Sequence, residues 1–180
     1  KITDGCTEVM RKIFFGMRQV NLKRQVKVAS LGEMISQKTH YAHGGSSVCG
    51  SIITSASPPW PNGKSLPPFV PWGQFGSRLE AGKDSASERY INVTETEWFR
   101  AMVSDDDRCI LVGRRDDGHE IEPRSFAPGL PFGLVNFHTG IGTGWSTTLW
   151  PCNPRAVIAN VRRFLLGQPL KHMNIYIHGR

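Results

Sequence analysis

Thr39-His40-Tyr41-Ala42-His43-Gly44-Gly45-Ser46-Ser47 separates two helical periodicities, and its reading decides the fold. Before it, Val28, Leu31 and Ile35 recur at helical spacing, predicting a helix over Val26–Lys38. After it, Val48, Ile52 and Ile53 predict another over Ser46–Ser57. Two helices joined by a short Gly-containing turn suggest a helix-turn-helix. The positive end of the second helix would face the turn, where it could meet a phosphate. His40 and His43 could serve a metal or a phosphate. A metal needs a further ligand, and none is obvious nearby in the sequence.

Working outward, Asp4 to Gln19 reads as an amphipathic helix capped at Thr3 or Asp4, with Val9, Met10, Ile13, Phe14 and Met17 inward. Pro58 to Pro68 is a loop and Phe69 to Trp72 a short strand. Arg89 to Thr94 alternates like a strand. Glu95 to Val103 reads as a helix capped by Thr94. Cys109–Val112 and His119–Glu122 flank Arg114-Arg115-Asp116-Asp117-Gly118, a hairpin signal. A hairpin after a helix-turn-helix is expected to be a wing. Pro123 to Leu134 reads as extended. Pro154 to Gly167 is predicted helical, with Val157, Ile158, Val161, Phe164 and Leu165 inward, and Lys171 to His178 a strand. The class is α+β.

The chain has 180 residues, a net charge of +7 and a pI of about 9.5. An excess of cations of this size suggests a polyanionic partner. A piece of a longer protein, balanced elsewhere, would show the same charge, and the absence of an initial Met fits that reading. Cys6, Cys49, Cys109 and Cys152 form no C-x-x-C pair, which argues against zinc on thiolates. Reduced thiols are expected, and the sequence has no signal peptide or apolar run long enough to span a membrane. Asn92-Val93-Thr94 matches a glycosylation sequon by chance on this reading.

The stretch from Trp72 to Tyr90 is rich in Gly and small residues and carries Arg78, Lys83 and Arg89. Such a loop can bring backbone and cations to an anion. Free tyrosine has a pKa near 10 and is a weak nucleophile. Cations beside Tyr90 would stabilise its phenolate and charge on an attacked phosphoryl group. From spacing alone, Tyr90 reads better as a half-buried strand residue whose hydroxyl reaches a neighbour. Gly140-Ile141-Gly142-Thr143-Gly144-Trp145 is not a dinucleotide fingerprint, because Trp145 takes the place of the last glycine. Ile141, with glycines on both sides, has little to pack against as a core residue.

Five ordered motifs carry a resemblance over nearly the whole chain. They are Asp4-Gly5 with Arg11-Lys12-Ile13-Phe14-Phe15; Tyr41-Ala42-His43-Gly44; Gly73-Gln74-Phe75-Gly76-Ser77-Arg78 with Gly82-Lys83-Asp84-Ser85-Ala86-Ser87-Glu88-Arg89-Tyr90-Ile91; Asp117-Gly118 with Ile121-Glu122-Pro123; and Gly140-Ile141-Gly142-Thr143-Gly144-Trp145-Ser146 with Asn153-Pro154. In this order they resemble the DNA-cleavage module of type IIA DNA topoisomerases, in the eukaryotic and viral topoisomerase II form. The chain departs from that pattern at Cys6–Met10, at Gly45 where an acidic residue is common, and at Ala81 where a second glycine is usual.

The resemblance implies a winged-helix domain over residues 1–150, then a helix and strand over 151–180 leading into a tower region. It implies that Tyr90 attacks a DNA phosphodiester and becomes joined to the 5′ phosphate, with Arg89 and His43 as catalytic partners. Arg11, Lys12, Arg78 and Lys83 would contact DNA phosphates, and Ile141 would wedge between base steps. Double-stranded DNA and a second copy of the chain are the implied partners. Mg2+ would be held by a TOPRIM domain and ATP by an ATPase domain, both outside this chain. The implied location is the nucleus, or a viral replication site. The alternative is a winged-helix module that binds DNA without chemistry.

Overall fold

The computed structural model describes residues 3–20, 22–57 and 65–176. Most of the predicted Pro58–Pro68 loop, and the last two residues of the predicted Lys171–His178 strand, lie outside them. In chain order the first elements are α1 (Glu8–Val20), β1 (Val26–Lys27), α2 (Val28–Lys38), α3 (Gly44–Ala56), β2 (Phe69–Trp72) and β3 (Asn92–Glu95). The three strands form one antiparallel sheet in the order β1-β3-β2, with Val26 opposite Val93 and Phe69 opposite Glu95. A helix-turn-helix backed by such a sheet is a winged helix. Its wing is the connection between β2 and β3, residues 73–91. The wing expected at Arg114–Gly118 is therefore misplaced. That segment makes a separate hairpin, β4 (Arg114–Asp116) with β5 (His119–Ile121), which shares no ladder with β1–β3.

Other elements follow their local chemistry. α1 starts four residues later than predicted. Thr7 Oγ1 accepts the Met10 N–H at 3.3 Å, as a cap does. Asp4 instead faces inward, where it accepts Arg11 Nε at 2.7 Å and the backbone N–H groups of Cys6 and Phe126. Burial raises the Asp4 pKa, but the Arg11 bond and these backbone donors outweigh it, so the net shift is downward. Gly5 beside it has φ +67°, and a Cβ there would stand 2.3 Å from Gly133 N. α4 (Glu97–Met102) begins after Thr96, not Thr94, and Thr96 Oγ1 reaches back to Pro67 O and Pro68 O. Cys109 and Ile110 lie in a 3-10 turn (Asp106–Ile110) instead of a strand. The β4–β5 turn has positive φ at Asp117 and Gly118, the type I′ geometry that Asp-Gly favours.

Beyond β5 the expectations diverge more. Phe132–Val135 is a short helix, α5, inside the stretch read as extended. β6 (His138–Gly142) and β7 (Trp145–Leu149) pair as a hairpin where no regular element was predicted. α6 (Pro154–Leu165) starts as predicted, with Asn153 Oδ1 accepting the Arg155 N–H at 2.9 Å. Its inward face is Val157 and Asn160, while Phe164 and Leu165 are exposed. Residues 171–176 contribute one bridge, Ile175 to Cys152, and no strand.

The core packs α1 against α2 and α3 and gathers Phe14, Phe99, Phe126 and Phe132, with Phe14 and Phe99 centroids 4.6 Å apart. Lys12 lies on the buried face of α1. Its ammonium donates to Thr39 O at 2.9 Å and to Glu122 Oε2 at 3.0 Å, and Arg114 Nη1 donates to Glu122 Oε1 at 3.2 Å. One fully buried carboxylate thus ties α1, the α2–α3 turn and the β4–β5 hairpin together.

The wing folds on itself. Asp84 accepts the Ser77 N–H at 2.7 Å and lies 3.4 Å from Gln74 Nε2, and Gly82 N–H donates to Ser77 O at 2.9 Å. The Ser77 N–H bond lowers the Asp84 pKa. Gly76 and Gly82 approach so closely that a Cβ at 76 would lie 2.5 Å from Gly82 Cα. Ala81, at the position where the pattern has glycine, takes φ +50°. The turn keeps the left-handed geometry at the steric cost of a Cβ, about 1 kcal/mol.

This packing generates two stability predictions. Lys12→Met should leave Glu122 buried with Arg114 alone and lower the unfolding free energy by about 3 kcal/mol in urea titrations; a loss below about 1 kcal/mol would mean the buried pair is not structural. Ala81→Gly should relieve the left-handed strain, less the extra freedom glycine gives the unfolded chain. The expected gain is about 0.5 kcal/mol, or roughly 1–2 °C in Tm, and a lower Tm would contradict the strained turn.

Candidate active site

Tyr90 ends the wing. β3 begins two residues beyond it, so the half-buried strand position considered from the sequence is not what forms. Instead Tyr90 sits in a turn closed by its own N–H on Ser87 O at 2.9 Å, and its side chain is 75% exposed. The turn is fixed from below. The first two N–H groups of α2, Val28 and Ala29, have no partner inside the helix. They donate to Ile91 O and Glu88 O, both at 3.1 Å. Ile91 is buried, and it meets Gly73 where the wing starts. Tyr90 is therefore an exposed phenol on a backbone anchored by a helix end and by the sheet. Arg89, also exposed, holds its guanidinium 5.7 Å from the centre of the Tyr90 ring.

His43 occupies the N-cap of α3 and is exposed, with no side-chain bond to the helix. The Tyr41 ring meets it edge-on at 5.3 Å, and Tyr41 Oη is 3.5 Å from Ser47 Oγ. Lys12 Nζ lies 5.9 Å behind the Tyr41 ring. The order is thus Lys12 in the core, Tyr41 over it and His43 at the surface. The phosphate role expected of Lys12 does not fit this geometry, because its ammonium is buried and bonded to Glu122 and Thr39. Arg11 is half-committed in the same way: Nε and Nη2 clasp Asp4, and Nη2 also reaches Cys6 O. Arg78 and Lys83 are on the wing, both exposed.

Gly45 has a local counterpart. A Cβ at 45 would lie 2.3 Å from Glu33 Oε1, so the Glu33 carboxylate packs against the first turn of α3. Negative charge there suits the helix dipole, and it reaches that end from α2 instead of from position 45. It also competes with the phosphate contact expected of this helix end.

Ile141 stands on the β6–β7 hairpin opposite Ser146, 85% exposed, with Trp145 nearly as exposed opposite Gly142. Both line an open groove of about 660 Å³ between the hairpin and residues 3–7. The sequence marked no role for Asp84 or Glu122, and for Asp4 only a helix cap. Each lies inside a quoted motif, which was the available signal. Among the described residues, the three-residue group with metal-ligand geometry is His40, Asp116 and Asp117, and it does not include Tyr90. Burial pushes the Cys49 thiol up to about 11, which keeps it protonated and inert.

Comparison with known proteins agrees with this architecture. The DNA gyrase/topoisomerase IV family matches residues 1–178. A DNA topoisomerase 2 of Acanthamoeba polyphaga mimivirus is 40% identical over 173 residues, covering 96% of this chain and 14% of that protein. A DNA topoisomerase 2 of Arabidopsis thaliana is 38% identical over 178 residues, 99% of this chain and 12% of that protein. The chain therefore spans only a small part of the length of these relatives. The crystal structure of the Plasmodium falciparum topoisomerase II DNA-binding, cleavage and re-ligation domain superposes with a TM-score of 0.93 at 34% identity, over 99% of this chain and 24% of that one. Matched in sequence and in fold along nearly all its length, the chain belongs to the type IIA topoisomerases, within the DNA gyrase/topoisomerase IV family.

Proposed function

We propose that this chain is the DNA-gate segment of a type II topoisomerase, cutting and resealing duplex DNA through Tyr90. The observation that carries the reading is an exposed phenol on an anchored turn beside an exposed guanidinium. In the reaction the Tyr90 hydroxyl oxygen forms a bond to a backbone phosphorus, and the bond from phosphorus to the 3′ oxygen breaks. The phenol proton leaves and the departing 3′ oxygen gains one. One phosphodiester is exchanged for another, so the reverse step reseals the strand. Arg89 would bind the non-bridging oxygens as charge builds on them. His43, Arg78 and Lys83 would hold neighbouring phosphates, while Lys12 supports Tyr41 from the core. Two copies, one per strand, would make a double-strand break.

Family membership implies Mg2+ and ATP in the whole enzyme. The described residues around Tyr90 offer no carboxylate cluster for Mg2+, so we assign it to a TOPRIM domain and ATP to an ATPase domain elsewhere. When bound, the metal supplies charge stabilisation at the leaving oxygen. Residues 151–176 would lead toward a tower region. We place the enzyme in the nucleus or at a viral replication site.

Two experiments test this reading. The intact enzyme mixed with supercoiled DNA and magnesium, then denatured abruptly, should yield protein-linked DNA. Tyr90→Phe should reduce that adduct to background with little change in DNA affinity, and a surviving adduct would remove Tyr90 from the chemistry. Ile141→Ala should reduce DNA bending measured by energy transfer between the duplex ends, since an apolar wedge offsets a few kcal/mol of unstacking by gaining a bent duplex. Unchanged bending would show that Ile141 is not the wedge.

A further inference from the structure

The α2–α3 turn and the β4–β5 hairpin meet at side chains that the cleavage chemistry does not use. His40 Nδ1 lies 3.2 Å from Asp116 Oδ2, across 76 residues of sequence. One ligand atom each from His40, Asp116 and Asp117 fall within 4.8 Å of one another. The His119 ring, on the same hairpin, stands edge-on to His40 with centroids 5.5 Å apart. We propose that His40, Asp116 and Asp117, with His119 as fourth ligand, form a Zn2+-type site that fastens the helix-turn-helix to this hairpin.

The spacing suits the ion. Zinc bonds to imidazole nitrogen and carboxylate oxygen run about 2.0–2.2 Å, so two donors at a tetrahedral angle stand roughly 3.4 Å apart. His40 and Asp116 already hold that separation. The other two groups are on exposed side chains that need only rotate inward. The donor set also selects the ion. Mg2+ and Ca2+ take oxygen cages, whereas imidazole with carboxylate suits zinc and its transition-metal neighbours. The site therefore differs in kind from the Mg2+ expected elsewhere in the enzyme. Two adjacent carboxylates give the ion a charge reason to bind, since a neutral imidazole ligand offsets neither of them. The sequence showed His40 and His43 as the possible pair. The fold separates their roles and supplies His40's partners from the hairpin instead. The buried Lys12–Glu122–Arg114 clamp already holds the hairpin beside the turn, so the ion would bind a prearranged site.

The test is calorimetric titration of the chain with Zn2+, paired with the visible absorption of Co2+ as a geometry probe. Cys109→Ser is included throughout, because that exposed thiol is a competing ligand. Saturation at one equivalent with a tetrahedral Co2+ spectrum is expected. His40→Asn, which tolerates the positive φ at 40, and Asp116→Asn should each weaken binding about tenfold or more. His119→Gln should shift the Co2+ spectrum. His172→Ala, a remote exposed histidine, should change nothing, and circular dichroism checks that each variant is folded. Absence of one-to-one saturation, equal affinity in folded His40→Asn and Asp116→Asn, or loss of binding in His172→Ala would overturn the site.

Discussion

One buried carboxylate holds the functional surface together. Glu122 is fully buried, and a lone ionised carboxylate there would be costly. Lys12 from α1 and Arg114 from β4 supply two cations, and Lys12 also satisfies the Thr39 carbonyl at the end of α2. Each of these elements presents something to the surface. α1 backs Tyr41 and so His43; the turn carries His40; the hairpin carries Asp116 and Asp117. Removing the carboxylate would leave two cations without their partner, so the three elements are fixed around one residue. The same logic recurs at Asp4, which draws Arg11 and two backbone N–H groups from positions far apart in sequence.

These two clamps explain what could be read from the sequence and what could not. The helices α1, α2, α3 and α6 were legible because their apolar residues repeat at the helical period. Lys12 and Arg11 look, on the same period, like solvated charges, and the resemblance implied that both face phosphate. Their partners are the carboxylates of Glu122 and Asp4, and nothing local marks a lysine as buried when its partner is 110 residues away. The wing was misread for a related reason. Asp-Gly between short polar and apolar runs is a strong local hairpin signal, and it did form a hairpin. Which hairpin completes the sheet is decided by pairing with β1, a long-range choice that spacing does not encode. The exposed Phe164 and Leu165 show the converse: periodicity gives a stripe but not what it faces.

The active-site reading was more legible than its geometry. The motif around Arg89 and Tyr90 pointed to the residues, but their exposure depends on where β3 begins. Strand alternation suggested Arg89; the ladder starts at Asn92 because the carbonyls of Glu88 and Ile91 are taken by the first N–H groups of α2. That exchange has a chemical consequence. A helix N-terminus, otherwise free to hold an anion, is used instead to hold the backbone under the proposed nucleophile. Rigidity at Tyr90 then comes from hydrogen bonds already needed by the helix, and the side chain keeps its solvent face.

The departures from the family pattern are absorbed locally. At 45 the lost acidic side chain is answered by Glu33, whose carboxylate packs against the same helix turn. At 81 no neighbour compensates; the alanine simply adopts the left-handed backbone, held there by the Asp84 bonds on one side and the Gly76–Gly82 approach on the other. The two cases differ in what the lost residue supplied. A charge near a helix end can arrive from any side chain within reach. A backbone conformation must be met by the residue itself, so its cost stays in the wing and the surrounding hydrogen bonds must outweigh it. The wing's shape is thus set by its backbone bonds more than by the identity of any one residue. That is why the loop carrying Arg78 and Lys83 closes in this chain even though one of its glycines is missing.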